Sequence, residues 1–187
     1  MIAIIESVED ALKKECYLPA LSLSMTLLDI MAQANYPKVY KIKGGVGKAF
    51  EKFYDENIYD YEFCEASLPN GPEAKERLKW LVNGEIIYKL RCDLLHNGSN
   101  KQLKKKLMYK YGVESEDILH YELTNTLATT LGKTTDDSDN LLGIKVRINV
   151  PNLIKNIVSV AKVQIEIIPE KYDSNPFFTE YDISQLL

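Results

Sequence analysis

The spacing of apolar residues changes once along this chain, and that change limits the folds open to it. In the first hundred residues apolar side chains recur every three or four positions, as in Ile5, Val8 and Leu12, which is the period of an amphipathic helix. In the later part the period falls to two, as in Ile144 and Val146, which is typical of a strand with one buried face. The sequence therefore predicts helices followed by strands, without the alternation that builds a parallel α/β sheet.

Four helices are predicted before residue 100. They cover residues 5–16, residues 21–32 with an end at Asn35-Tyr36-Pro37, residues 49–63, and residues 73–96 after a proline- and glycine-containing break at 68–72. The second helix is apolar nearly all round, so we expect it at the centre of the bundle. The basic, glycine-rich residues 38–48 are predicted to connect the second helix to the third.

The remaining residues predict a small antiparallel sheet and one further helix. Strand patterns cover residues 119–124, with a continuation towards residue 131, and residues 144–150, and the polar residues 133–140 form the loop of an antiparallel pair. Pro151 suits the first turn of a helix that ends at Pro169. The predicted fold class is mainly α. Residues 1–100 form a helical bundle, and residues 101–187 form an α/β extension packed on it in one compact unit.

Composition excludes several classes of protein. Of the chain's 187 residues, 45% are hydrophobic and 27% are charged. This is enough apolar material for a globular core, so the chain is not wholly disordered. Its net charge of -4 excludes an evenly basic surface but not a local basic site. Cys16, Cys64 and Cys92 are widely spaced and odd in number, which favours reduced thiols over a zinc site or a disulfide framework. We predict no metal and no cofactor.

Two apolar stretches bear on localisation. Residues 1–11 contain three acidic residues and lack the layout of a signal peptide. Residues 17–34 contain Pro19, Asp29 and several hydroxyl residues, which favours a buried helix over a membrane span. The sequence therefore predicts a cytoplasmic protein with no membrane association.

The glycine-rich residues 44–48 have a partial likeness to a phosphate-binding loop. The pattern requires a glycine at position 42 and a serine or threonine at position 49, where this chain has Ile42 and Ala49. No predicted strand precedes the segment. A flexible connector is therefore the favoured interpretation.

Asp29 lies within the most apolar helix and must find a polar partner there. The favoured interpretation is a structural bond to a backbone group or to a lysine. The alternative is a salt bridge to Arg91, which would orient the guanidinium group.

Arg91 and His96, with four residues between them, close the fourth helix. Arginine offers a planar fork that matches a phosphate group, and histidine exchanges protons near neutral pH. On an ideal helix a five-residue step turns by about 140°, so the two side chains would not stack on one face. Two copies related by a twofold axis would place two arginines and two histidines around one phosphate.

This motif, at the end of a long helix in a helical bundle, resembles the HEPN superfamily (higher eukaryote and prokaryote nucleotide-binding domains). The resemblance covers about residues 1–100. Many members are metal-independent endoribonucleases of toxin–antitoxin, phage-defence and RNA-processing systems, with a composite site at a homodimer interface. It implies that Arg91 and His96 are catalytic. The family often has a polar residue directly after the arginine. Here that position is Cys92, and the polar residue is Asp93, one position later. We expect Asp93 and Asn97 to support the catalytic pair.

Residues 89–110 carry seven basic residues and one acid, which favours RNA as the partner. The predicted RNA-binding residues are Lys101, Lys104, Lys105 and Tyr109, the last by stacking on a base. A solvated helix face is the alternative for these lysines. The alternative function is a non-catalytic HEPN-like module that binds a nucleotide, RNA or protein. An antitoxin or a nucleotidyltransferase-like protein is a further expected partner.

Overall fold

The computed structural model describes residues 1–62, 82–97, 119–125, 130–135 and 141–173. The predicted break at 68–72, the first part of the predicted fourth helix and most of the tail after residue 170 lie outside these ranges. The described helices are α1 (Ile2–Lys13), α2 (Tyr17–Asn35), α3 (Pro37–Tyr40), α4 (Gly45–Asn57), α5 (Tyr59–Glu62), α6 (Gly84–Cys92), α7 (Val150–Ile167) and α8 (Glu170–Asp173). A π-helical turn spans Asp93–Asn97, and the strands are β1 (Leu119–Thr124), β2 (Thr130–Thr135) and β3 (Leu141–Asn149).

The described part of the chain is mainly helical, and α2 is its central helix, as predicted. Leu21, Met25 and Leu28 of α2 are fully buried, and α2 packs against α1, α4 and α7. The core continues into the later part of the chain, because Val146 of β3 and Ile157 of α7 belong to the same cluster of buried residues. Among the described residues, no helix has the length and apolarity needed to cross a membrane.

The three described strands form a mixed sheet in the order β1-β3-β2. β1 lies parallel to β3, with Leu119 opposite Ile144, and β2 lies antiparallel to β3, with Leu131 opposite Val146. The sheet is therefore not the antiparallel sheet that the sequence predicts. The period of two identifies a half-buried strand but carries no information about the direction of its neighbour.

Helix α7 begins where the sequence predicts. The side-chain oxygen of Asn149 accepts a hydrogen bond from the backbone N–H of Asn152 at 2.9 Å, which caps the helix. Pro151 occupies the first turn, where its missing N–H costs no intrahelical bond. The cap sits at the last residue of β3, so strand and helix follow each other without a loop.

Residues 38–48 lie between the second and third predicted helices, as expected, but the flexible connector predicted at residues 44–48 is wrong, because residues 45–48 are helical. Helix α3 ends at Tyr40 and α4 begins at Gly45, so only four residues separate the two helices. Gly44 precedes α4 with a φ of 72°, a left-handed conformation that glycine adopts at little cost. The glycines therefore mark a tight helix start, which composition alone does not distinguish from a loop.

Gly84 at the start of α6 lies against the backbone of α4. A Cβ atom at this position would be 2.2 Å from the carbonyl oxygen of Glu51. We expect Gly84→Ala to lower the free energy of unfolding by about 3 kcal/mol, because a backbone atom cannot move aside as a side chain does. Urea unfolding followed by circular dichroism measures this.

Gly44→Ala is the matched control for Gly84→Ala. A Cβ atom at Gly44 has no neighbour within 4 Å, so its cost is the left-handed backbone alone, about 1 kcal/mol. Equal destabilisation by both substitutions would contradict the close approach of α6 to α4.

Candidate functional site

Helix α6 positions Arg91. Asn83 caps its start, since the side-chain oxygen of Asn83 accepts a hydrogen bond from the backbone N–H of Ile86 at 3.1 Å. Ile86 and Ile87 anchor the helix in the core at 1% and 0% exposure. Arg91 is the last residue but one of this helix, so its backbone is held by the preceding turns.

The Arg91–His96 motif spans a change of helix type. Residues Asp93–Asn97 form a π-helical turn that follows α6 directly. Its hydrogen bonds span five residues instead of four, and such turns occur frequently at functional sites. Residues five apart therefore come closer to one face than the 140° of an ideal helix allows. Because Arg91 lies before this turn and His96 within it, the 140° of an ideal helix does not apply to the pair. The side chains of His96 and Asn97 are outside the described structure.

Asp29 of α2 binds the guanidinium group of Arg91. Nε of Arg91 donates a hydrogen bond to Oδ2 of Asp29 at 2.9 Å, and Nη2 donates to the same oxygen at 2.6 Å. The side chains are 19% and 15% exposed, respectively. The favoured interpretation of Asp29, a bond to the backbone or to a lysine, is therefore wrong, and the alternative partner Arg91 is the one observed. This ion pair ties α6 to the central helix.

The pair combines burial with opposite charge. Burial raises the pKa of Asp29, and the charge and hydrogen bonds of Arg91 offset part of that increase. Burial, the largest single cause, lowers the pKa of Arg91, but the charge and hydrogen bonds of Asp29, together with Cys92, outweigh burial, so the pKa of Arg91 is raised. Oδ1 of Asp29 is buried and has no hydrogen-bond partner within the described ranges. The guanidinium group is thus a positive charge whose orientation is set by a carboxylate.

Three further residues surround Arg91 along the chain. The ring of Tyr88, one turn earlier, packs against Phe50 of α4 with ring centroids 5.3 Å apart. Burial and the neighbouring Cys92 raise the pKa of Tyr88. Asp93 is 3% exposed at the first position of the π-helical turn, so the motif is anchored in the protein interior on one side.

The predicted RNA-binding residues Lys101, Lys104, Lys105 and Tyr109 lie outside the described residues. In the ranges that the structure covers, no group of three or more histidine, cysteine, aspartate or glutamate side chains is arranged to hold a metal ion. Sequence reasoning missed the π-helical turn, for which the sequence carries no signal. The sequence does offer the Asp29–Arg91 pair as the alternative interpretation, because an acid in an apolar helix needs a polar partner.

Two shallow clefts are each lined in part by Tyr17, and each has a volume of about 400 Å³. One is lined by Leu18, Leu123 and Val150 among others, and their described lining residues include none of the Arg91–His96 motif. These clefts are therefore separate from the candidate site.

Comparisons with protein-family models, with curated protein sequences and with solved structures found no match to this chain. The candidate site is therefore defined by the chain's own residues: a charged Arg91 held by Asp29, at the head of a π-helical turn that contains His96.

Proposed function

We propose that this chain is a HEPN-like, metal-independent endoribonuclease, whose site forms from Arg91 and His96 of two copies at a homodimer interface. The observation that carries the proposal is the ion pair between Arg91 and Asp29. It fixes a guanidinium group, the side chain best suited to a phosphate, five residues before the histidine of the motif. The biological role that we propose is that of a toxin or a phage-defence effector.

The proposed reaction uses the 2′-hydroxyl group of the RNA. One His96 accepts the proton of this hydroxyl group, and the oxygen attacks the adjacent phosphorus. The bond from phosphorus to the 5′ oxygen breaks, and the partner's His96, in its protonated form, donates a proton to the leaving oxygen. Arg91 stabilises the charge that grows on the phosphoryl oxygens. The products are a 2′,3′-cyclic phosphate and a 5′-hydroxyl end.

The two-copy arrangement follows from the chemistry. One histidine must be neutral to accept a proton, and another must be charged to donate one. Each chain supplies one histidine within the motif, His96. A twofold axis brings the second histidine to the same phosphate. Asp93 and Asn97 would support the histidine, and an antitoxin or a nucleotidyltransferase-like protein would control the site.

The ends of the products test this chemistry. We expect 2′,3′-cyclic phosphate ends, or the 3′-phosphate formed on their hydrolysis, and we expect no cleavage at nucleotides that carry a 2′-O-methyl group, because the attacking hydroxyl is blocked. Mass spectrometry of the cleaved fragments measures both. Products with 5′-phosphate and 3′-hydroxyl ends would contradict the mechanism, because they require attack by water instead of the 2′-hydroxyl.

The alternative function is a non-catalytic module that binds a nucleotide or RNA. It is favoured by the same ion pair, because Asp29 already satisfies part of the charge of Arg91 and both side chains are mostly buried. A module of this kind would bind RNA without cutting it.

A further inference from the structure

Residues 37–50 carry a local concentration of exposed basic residues, and we call this stretch the basic segment. It contains four lysines and no acidic residue, in a chain whose net charge is -4. All four lysines are exposed: Lys38, Lys41, Lys43 and Lys48. Local positive charge of this density on an acidic protein marks a site for a polyanion.

The lysines of the basic segment differ from four other described lysines in having no described carboxylate oxygen within 4.0 Å. Lys14, Lys52, Lys145 and Lys162 each lie within 4.0 Å of a carboxylate oxygen. Across the described ranges, no carboxylate pairs with a lysine of the basic segment. Its positive charge is therefore not neutralised internally and is exposed to a ligand.

Contacts between α4 and α6 place the basic segment beside the motif. Gly84, at the start of α6, lies against the backbone of Glu51 in α4. One turn later in α6, Tyr88 lies against Gly47 and Phe50. The two helices thus run in opposite directions, so each turn towards the end of α6 corresponds to one turn towards the start of α4.

Continuing this register by one turn brings Arg91 level with the start of α4 at Gly44. Lys43 immediately precedes that position, and Lys48 lies within the first turn and a half of α4. The acids of α4, Glu51, Asp55 and Glu56, follow towards its other end. The charge along α4 is therefore most positive at the end of the bundle that carries Arg91.

We propose that the basic segment binds the phosphate backbone of the RNA next to the nucleotide that is cleaved. This inference rests on the proposed function, which supplies the RNA. Exposed lysines make phosphate contacts that carry no sequence information, so the segment holds and orients the strand while Arg91 and His96 act on one phosphate. It assigns RNA contacts to residues other than the predicted Lys101, Lys104 and Lys105.

The test is the binding of a fluorescein-labelled 2′-O-methyl oligouridylate, measured by fluorescence anisotropy over a range of salt concentrations. This probe has no free 2′-hydroxyl, so binding is measured apart from cleavage. The variant is Lys41→Gln with Lys43→Gln. The control is Lys13→Gln with Lys155→Gln, two exposed lysines on α1 and α7, which gives the same change in net charge.

We expect the basic-segment variant to bind about tenfold or more weakly at 0.1 M salt. Its salt dependence should be shallower by about 1.4 units, since each of the two lost phosphate contacts on a single strand contributes about 0.7 to the slope. The control should bind like the wild type, and both variants should keep the wild-type melting temperature. Equal binding by the variant and the wild type, an equal loss in the control, or no binding of the probe to the wild type would overturn the inference.

Cleavage of an unmodified RNA separates this inference from the proposed function. Weaker probe binding by the variant, with no cleavage by the wild type, would support the basic segment as an RNA surface and contradict the nuclease. Cleavage by the wild type with unchanged binding by the variant would support the nuclease and overturn the role of the basic segment.

Discussion

His96→Ala lowers the rate of RNA cleavage by roughly 10² to 10⁴-fold on our account, the range that general acid–base catalysis contributes. The effect lies at the upper end because the substitution removes both the acceptor and the donor of the proton from a composite site. Arg91→Ala should reduce the rate by about 10²-fold or more, the cost of losing a group aimed at developing negative charge. Both reductions are measured on a labelled RNA under single-turnover conditions.

The chain offers a matched control for each substitution. His120 is its other histidine, so His120→Ala removes an imidazole outside the motif. Arg147 pairs with Glu122 at 2.8 Å on the exposed side of the sheet, so Arg147→Ala removes another arginine–carboxylate pair. Both controls should cleave at the wild-type rate. If His96→Ala retains full activity, or if His120→Ala loses as much, the catalytic assignment is wrong.

Asp29→Ala is expected to have the second largest effect, because it leaves the partly buried charge of Arg91 without its carboxylate partner. Breaking a fully buried pair costs about 3–5 kcal/mol, and with 15–19% exposure we expect about 2 kcal/mol in the free energy of unfolding. Cleavage should fall about tenfold or more, since the guanidinium group loses its fixed orientation. Urea unfolding and single-turnover cleavage measure the two effects.

A double substitution distinguishes positioning of Arg91 from a general structural role. If Asp29 acts through Arg91, Asp29→Ala should cause no further loss of cleavage in an Arg91→Ala background. Asp29→Glu, which keeps the charge, should recover part of the activity that Asp29→Ala loses. Additive losses in the double variant, or no recovery by glutamate, would show that Asp29 does not position Arg91.

The sequence predicts the elements whose residues have a strong local period. Helix α2 is identified by its apolar residues and ends at Asn35, two residues before Pro37, as expected. Helix α7 begins at Val150, with Pro151 in its first turn as expected. The glycine-rich segment is wrongly predicted, because Gly44 and Gly45 serve a tight helix start that composition does not distinguish from a flexible loop. The direction of β1 relative to β3 depends on tertiary contacts, which a period of two does not encode.

The candidate site is predicted in part, for the same reason. Arg91 lies in a helix as predicted, but the single helix predicted over residues 73–96 is wrong, because residues 82 and 83 are not helical and Asn83 caps the start of α6. An acid in an apolar helix signals that Asp29 needs a partner. Which partner it finds depends on how α2 and α6 pack, 62 residues apart in the chain. The π-helical turn at Asp93–Asn97 lies between Arg91 and His96 in part, so the geometry of an ideal helix does not describe the motif. No residue type in the turn predicts this departure.

The most direct test of the central claim is RNA cleavage in the presence of EDTA by the wild type, Arg91→Ala and His96→Ala, purified side by side and checked for dimerisation. We predict that the wild type cleaves with EDTA present and that both dimeric variants cleave at least about 10²-fold more slowly. Cleavage that EDTA abolishes, cleavage that both variants retain, or an intact wild-type dimer that cuts none of a varied set of RNAs would contradict the account.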